Sequence, residues 1–63
     1  MSKEEFDKGN FTQVRRNNIK GSLVRDVRGI NQLEGLVLLK EHSMFGDKTW
    51  VRYENVDIIT KQR

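Results

Sequence analysis

The sequence predicts a small all-β barrel of about five short strands, with a short helical turn at the N-terminus. Three observations carry that expectation. The stretch GLVLLKEHSMFGDKTWVRYENVDIIT, Gly35 to Thr60, holds two apolar strand candidates around a loop centred on Gly46 and then a shorter third one. Thr49, Val51 and Tyr53 alternate with Trp50 and Arg52, the period of a strand with one face covered. The chain has no Pro, and its Gly residues stand singly between the apolar runs. Short strands at such spacing suit a barrel, whose closure hides edges that a lone small sheet would leave open.

Each element has its own local reason. Ser2 and Glu5 have capping-box spacing, so residues 2–8 start a helical turn that Phe6 pins over one end of the core. The terminal stretches 1–9 and 61–63 are expected to be mobile. Phe11 to Arg16 (FTQVRR) reads as the first strand, because Phe, Thr and Val are β-formers. Asn17-Asn18 is a turn signal. Ile19 to Arg28 fits two patterns. Ile19, Leu23, Val27 and Ile30 make a helical stripe, while Gly21 weakens a helix and suits a bend between strands; the flanking strands favour a strand here. Leu36 to Glu41 is the next strand, His42 to Lys48 a loop, and Thr49 to Tyr53 the strand that returns. Glu54-Asn55-Val56 makes a tight turn, and Asp57 to Thr60 closes the sheet. The core is expected from Val14, Leu23, Val27, Leu36, Leu38, Val51, Tyr53, Val56 and Ile59.

Composition narrows function mostly by exclusion. Sixty-three residues make one domain, which buries only about 60% of the surface its unfolded chain exposes. With no Cys and a single His, neither disulfides nor a zinc site is expected to supplement the core. No apolar run resembles a signal peptide or spans a bilayer, so a cytoplasmic protein is expected. Catalysis is not expected either. His42 has no orienting partner in sequence, the acidic residues form no acid/base or metal spacing, and no Gly-rich phosphate cradle exists. Cofactors and metals are expected to be absent.

Charge gives the positive signal. The net charge is +3 and the pI about 9.6. Residues 11–30 carry Arg15, Arg16, Lys20, Arg25 and Arg28 against Asp26 alone, whereas residues 31–63 balance five cations with five acids. Such a segment suits a polyanion, or a guarded sheet edge. Trp50 and Arg52 share a strand face that points away from the core, a pairing suited to stacking on nucleic-acid bases. The expected function is therefore a small binding module for nucleic acid, using Arg15, Arg16, Lys20, Arg25, Arg28, Trp50 and Arg52. The alternative is a protein–protein adaptor or subunit, with Met44, Phe45 and Trp50 as an apolar patch.

The layout resembles the SH3-like barrels, including the KOW-type domains of transcription and ribosomal proteins. The residues that carry the resemblance are Lys8-Gly9 before a strand with Val14, then IKGSLV at 19–24, then the closing block TWVRYENVDII at 49–59. More narrowly, RRNNIKGSLV with KTWVRYENVDII resembles a YkvS-like family of small Firmicute proteins of unknown function. The resemblance implies a barrel that binds nucleic acid, proline-rich peptide or a neighbouring subunit, and that rarely catalyses.

Overall fold

The structure, a computed structural model, describes residues 1–41 and 44–61. It is all-β apart from one short helix and one 3-10 turn. Helix α1 (Lys3–Lys8) leads into five strands: β1 (Phe11–Arg16), β2 (Arg25–Asn31), β3 (Leu36–Lys40), β4 (Lys48–Arg52) and β5 (Val56–Lys61). A 3-10 turn, Tyr53–Asn55, joins β4 to β5. All neighbouring strands run antiparallel, in the order β4-β3-β2-β1-β5. This arrangement is consistent with a small SH3-like fold.

The helix is specified locally. The Ser2 hydroxyl accepts the Glu5 N–H at 3.2 Å, and the Glu5 carboxylate accepts the Ser2 N–H at 3.2 Å, so each side chain caps the other's backbone. Gly9 ends the helix at φ 64°, and its N–H bonds the Glu5 carbonyl. That left-handed conformation costs glycine nothing. Phe6 is fully buried and stacks on Tyr53, with centroids 4.7 Å apart and 16° between the planes. The N-terminal residues are tied down further. The Met1 amino group donates to the carbonyls of Tyr53 and Val56, and the Gln32 amide bonds the Asp7 carbonyl at 2.9 Å.

Strand β2 serves both halves of the sheet. Its start pairs with β1, Val14 opposite Arg25, and its remainder pairs with β3, from Val27 opposite Leu39 to Asn31 opposite Leu36. The register shifts between Val27 and Gly29. The extra residue there, Arg28, is a bulge that bends the strand from one half-sheet into the other. The strand expected over Ile19–Arg28 forms only from Arg25 onward. Residues 17–24 are turn and irregular chain, because Gly21 sits at φ 76° and reverses its direction.

Phe6, Phe11, Val14, Val37, Leu39 and Val56 form the buried core, with Met1, Val27, Ile30, Val51, Tyr53 and Ile58 packed around it. Five of the expected core positions thus lie in or against it. Leu23 and Ile59 do not: they are 58% and 44% exposed. In β3 the buried residues are Val37 and Leu39, and Leu36 and Leu38 face outward. The reason is register. Val37 stands opposite Val51, and directly opposed residues share a face, so the inward side of β4 selects the inward side of β3. His42 and Ser43, expected in a solvated loop, and the tail residues Gln62 and Arg63 lie outside the described residues.

Candidate functional site

The same register builds an exposed face on the β3–β4 hairpin. Alternation turns Leu36, Leu38 and Lys40 away from the core, and their partners are Arg52, Trp50 and Lys48. Three cross-strand pairs therefore line up on one surface. Lys40–Lys48 lies nearest the hairpin loop, Leu38–Trp50 in the middle, and Leu36–Arg52 at the far end. Trp50 is 48% exposed, as its alternation with Val51 requires.

The indole extends across the sheet. A Cβ placed on Gly29, in β2, would lie 3.9 Å from Trp50 Cη2 and 3.6 Å from the Leu38 side chain. Trp50 thus reaches from β4 over Leu38 to β2, a span of about 10 Å at ordinary strand spacing. About half of the side chain stays open to solvent. A large side chain at Gly29 would occupy the space into which the ring tip extends.

The charges around this platform are mostly positive. Lys40 and Lys48 are both exposed and directly opposite each other, a like-charge pair that is mildly destabilising on a sheet. Arg52 bonds the Glu54 carboxylate at 3.0 Å. Arg28, at the bulge beside Gly29, lies 3.9 Å from Asp26, which also accepts from the Gln13 amide at 3.1 Å.

The basic segment singled out in the sequence does not converge on this face. Arg16 and Arg25 point to one end of the core and share Glu41, at 3.1 and 3.6 Å. All three side chains are about three-quarters or more buried. The Nη1 of Arg25 is itself buried and finds no partner among the described residues. These two arginines close the end of the domain. Arg15 lies on the other half-sheet, opposite Asp57 of β5. It borders an open hollow of about 300 Å³ that Arg16, Asn17, Ile19, Ser22 and Asp57 also line. Asp57 offsets Arg15 there and accepts from the Asn17 amide at 3.1 Å, while Arg16 is held by Glu41. Lys20 is exposed in the turn after β1.

Met44 and Phe45, 90% and 83% exposed, occupy the loop between β3 and β4. The Lys40–Lys48 pair stands between that loop and Trp50 along the hairpin, so the three do not form an uncharged patch. Sequence reasoning missed Lys40 and Lys48 because they fall in a segment of balanced charge. Pairing Leu36–Glu41 with Thr49–Tyr53 around the Gly46 loop would have placed them opposite each other. Among the described residues, no group of His, Asp and Glu could hold a metal ion, and no helix is long and apolar enough to cross a membrane.

The geometry defines a small antiparallel β domain that presents an exposed Trp flanked by cations. Among known proteins, no family model, no curated protein and no solved structure matches the chain.

Proposed function

We propose that this domain is a cytoplasmic, non-catalytic binding module for nucleic acid, and that its contact surface is the outer face of β3 and β4. The observation that supports this most is the exposed indole of Trp50, set between the opposed Lys40–Lys48 pair and Arg52. Bases of any sequence stack on such a ring, and lysines facing each other gain from an anion placed between them. Arg28 adds to the same side, while Arg15 and Lys20 contribute only to the long-range field. Within this proposal belongs the narrower resemblance to KOW-type barrels and to the YkvS-like family.

A titration followed by heteronuclear NMR tests the proposal. A mixed-sequence oligonucleotide at low salt should shift the Trp50 indole and the amides of Lys40, Lys48 and Arg52, and leave Arg16 and Arg25 in place. No shifts at low salt, with the domain folded, would reject it.

One observation favours a second reading, a protein adaptor. Met44 and Phe45 are almost wholly exposed at the tip of the same hairpin, and large apolar groups at a loop tip mark contact surfaces. In that case binding would depend on Met44 and Phe45 and respond little to salt.

A further inference from the structure

Resting on the nucleic-acid reading above, we infer that the ligand is a single-stranded polynucleotide. One base lies flat on Trp50, with the phosphate on one side of it at Lys40 and Lys48 and the phosphate on the other side at Arg52. The ring geometry comes first. Trp50 reaches across the sheet towards Gly29 and is 48% exposed, so a large part of an aromatic ring is open to a stacking base. Inside a duplex both faces of each base are covered by neighbouring pairs. Away from its ends a duplex offers no free base face, whereas a single strand offers one at each base.

The distribution of polarity points the same way. The middle of the surface is apolar, Trp50 beside Leu38, and the cations stand at its two ends. Same-face residues on a strand are about 7 Å apart, so Lys48 and Arg52 stand one step to either side of the indole, and their long side chains can reach inward to the two phosphates that flank a stacked base. Lys40 and Lys48 are near enough across the hairpin to share one phosphate. That contact would also relieve their mutual repulsion.

Glu54 supplies an independent check. Its carboxylate occupies Arg52 at 3.0 Å, and both side chains are more than half exposed. A phosphate at Arg52 competes with Glu54. Removing the Glu54 charge should therefore strengthen binding, an outcome that a purely structural ion pair does not produce.

Trp50 is the only Trp in the chain, so its fluorescence reports the contact directly. The whole chain is titrated at low salt with oligothymidylate, with oligouridylate and with a blunt-ended duplex of the same length. Both single strands should change the Trp50 emission and bind about tenfold more tightly than the duplex, near the worth of one stacked base. Glu54→Gln should tighten single-strand binding. Equal binding of the two single strands marks a site blind to the sugar, and preference for oligouridylate marks one that reads the 2′-hydroxyl; either supports the assignment. A duplex bound as tightly as the single strands, with unchanged emission, would overturn the single-strand inference and leave the nucleic-acid reading standing. Unchanged affinity in Glu54→Gln would overturn the phosphate contact at Arg52. No salt-sensitive binding of any of the three would remove both readings.

Discussion

Glu41 decides how the basic segment is used, and Glu41→Gln tests its role. The side chain keeps its shape and loses its charge, leaving the guanidinium groups of Arg16 and Arg25 together at the end of the core. Removing one partner of a fully buried ion pair costs about 3–5 kcal/mol, whereas exposed pairs contribute about 0.2–1 kcal/mol. The three side chains are 18–24% exposed, so the cluster lies between these limits, and about 2 kcal/mol is a fair expectation. A chain of this length has a stability of about 3–9 kcal/mol, so the loss is a large fraction of the whole. At about 4–8 °C per kcal/mol for a small domain, Tm should fall by about 8–16 °C. Thermal unfolding followed by circular dichroism measures it. The same substitution in an Arg25→Met background should cost much less, because fewer unpaired cations remain. A shift below about 2 °C would refute the cluster's structural role and return both arginines to the candidate ligand contacts.

Three further outcomes follow from the fold. Phe6→Ala removes a fully buried ring stacked on Tyr53. At about 3–5 kcal/mol for such a truncation, it should lower Tm by more than about 12 °C, and a native-like Tm would show that α1 is dispensable. Val51→Asp puts a carboxylate opposite the buried Val37 and should unfold the chain; a folded variant would mean that the faces of β4 are assigned backwards. The Glu5 carboxyl is held below its ordinary value of 4.5 by hydrogen bonds from the Ser2 backbone and hydroxyl. A carboxyl depressed in the folded state stabilises above its unfolded value, and that contribution is lost as pH falls through the folded one. The protection of the α1 amides, taken relative to the intrinsic exchange rate at each pH, should therefore fall below about pH 4.5, and Glu5→Gln should remove that pH dependence.

Local signals in the sequence translated directly into structure. The Ser2–Glu5 spacing gave the capped helix, FTQVRR became β1 from Phe11 to Arg16, and the alternation around Trp50 put the indole outside. What failed to read through was non-local. Leu36-Val37-Leu38-Leu39 is apolar throughout, so alternation inside it carries no information; Val51, across the hairpin, determines which two residues are buried. Phe11 and Val14 are both buried although three residues apart, because the register with β5 shifts between them. Glu41 is far in sequence from both Arg16 and Arg25, and only the folded chain joins them. Counting charge by segment therefore credited two arginines to a ligand surface and overlooked two lysines. Segment sums cannot show which cations share a carboxylate or which ones face each other across a hairpin.

The central claim is that Lys40 and Lys48, rather than the arginines of the early segment, hold the phosphate of a nucleic acid stacked on Trp50. The most direct measurement is the salt dependence of single-strand binding in Lys40→Ala/Lys48→Ala, beside Arg15→Ala as a cation off that face. For single strands each phosphate contact contributes about 0.7 to the slope of log K against log salt. The lysine double variant should bind more weakly, with a slope shallower by about 0.7, while Arg15→Ala keeps the native slope. A native slope in the lysine variant and a flattened one in Arg15→Ala would contradict the account and move the binding surface to the other half of the sheet.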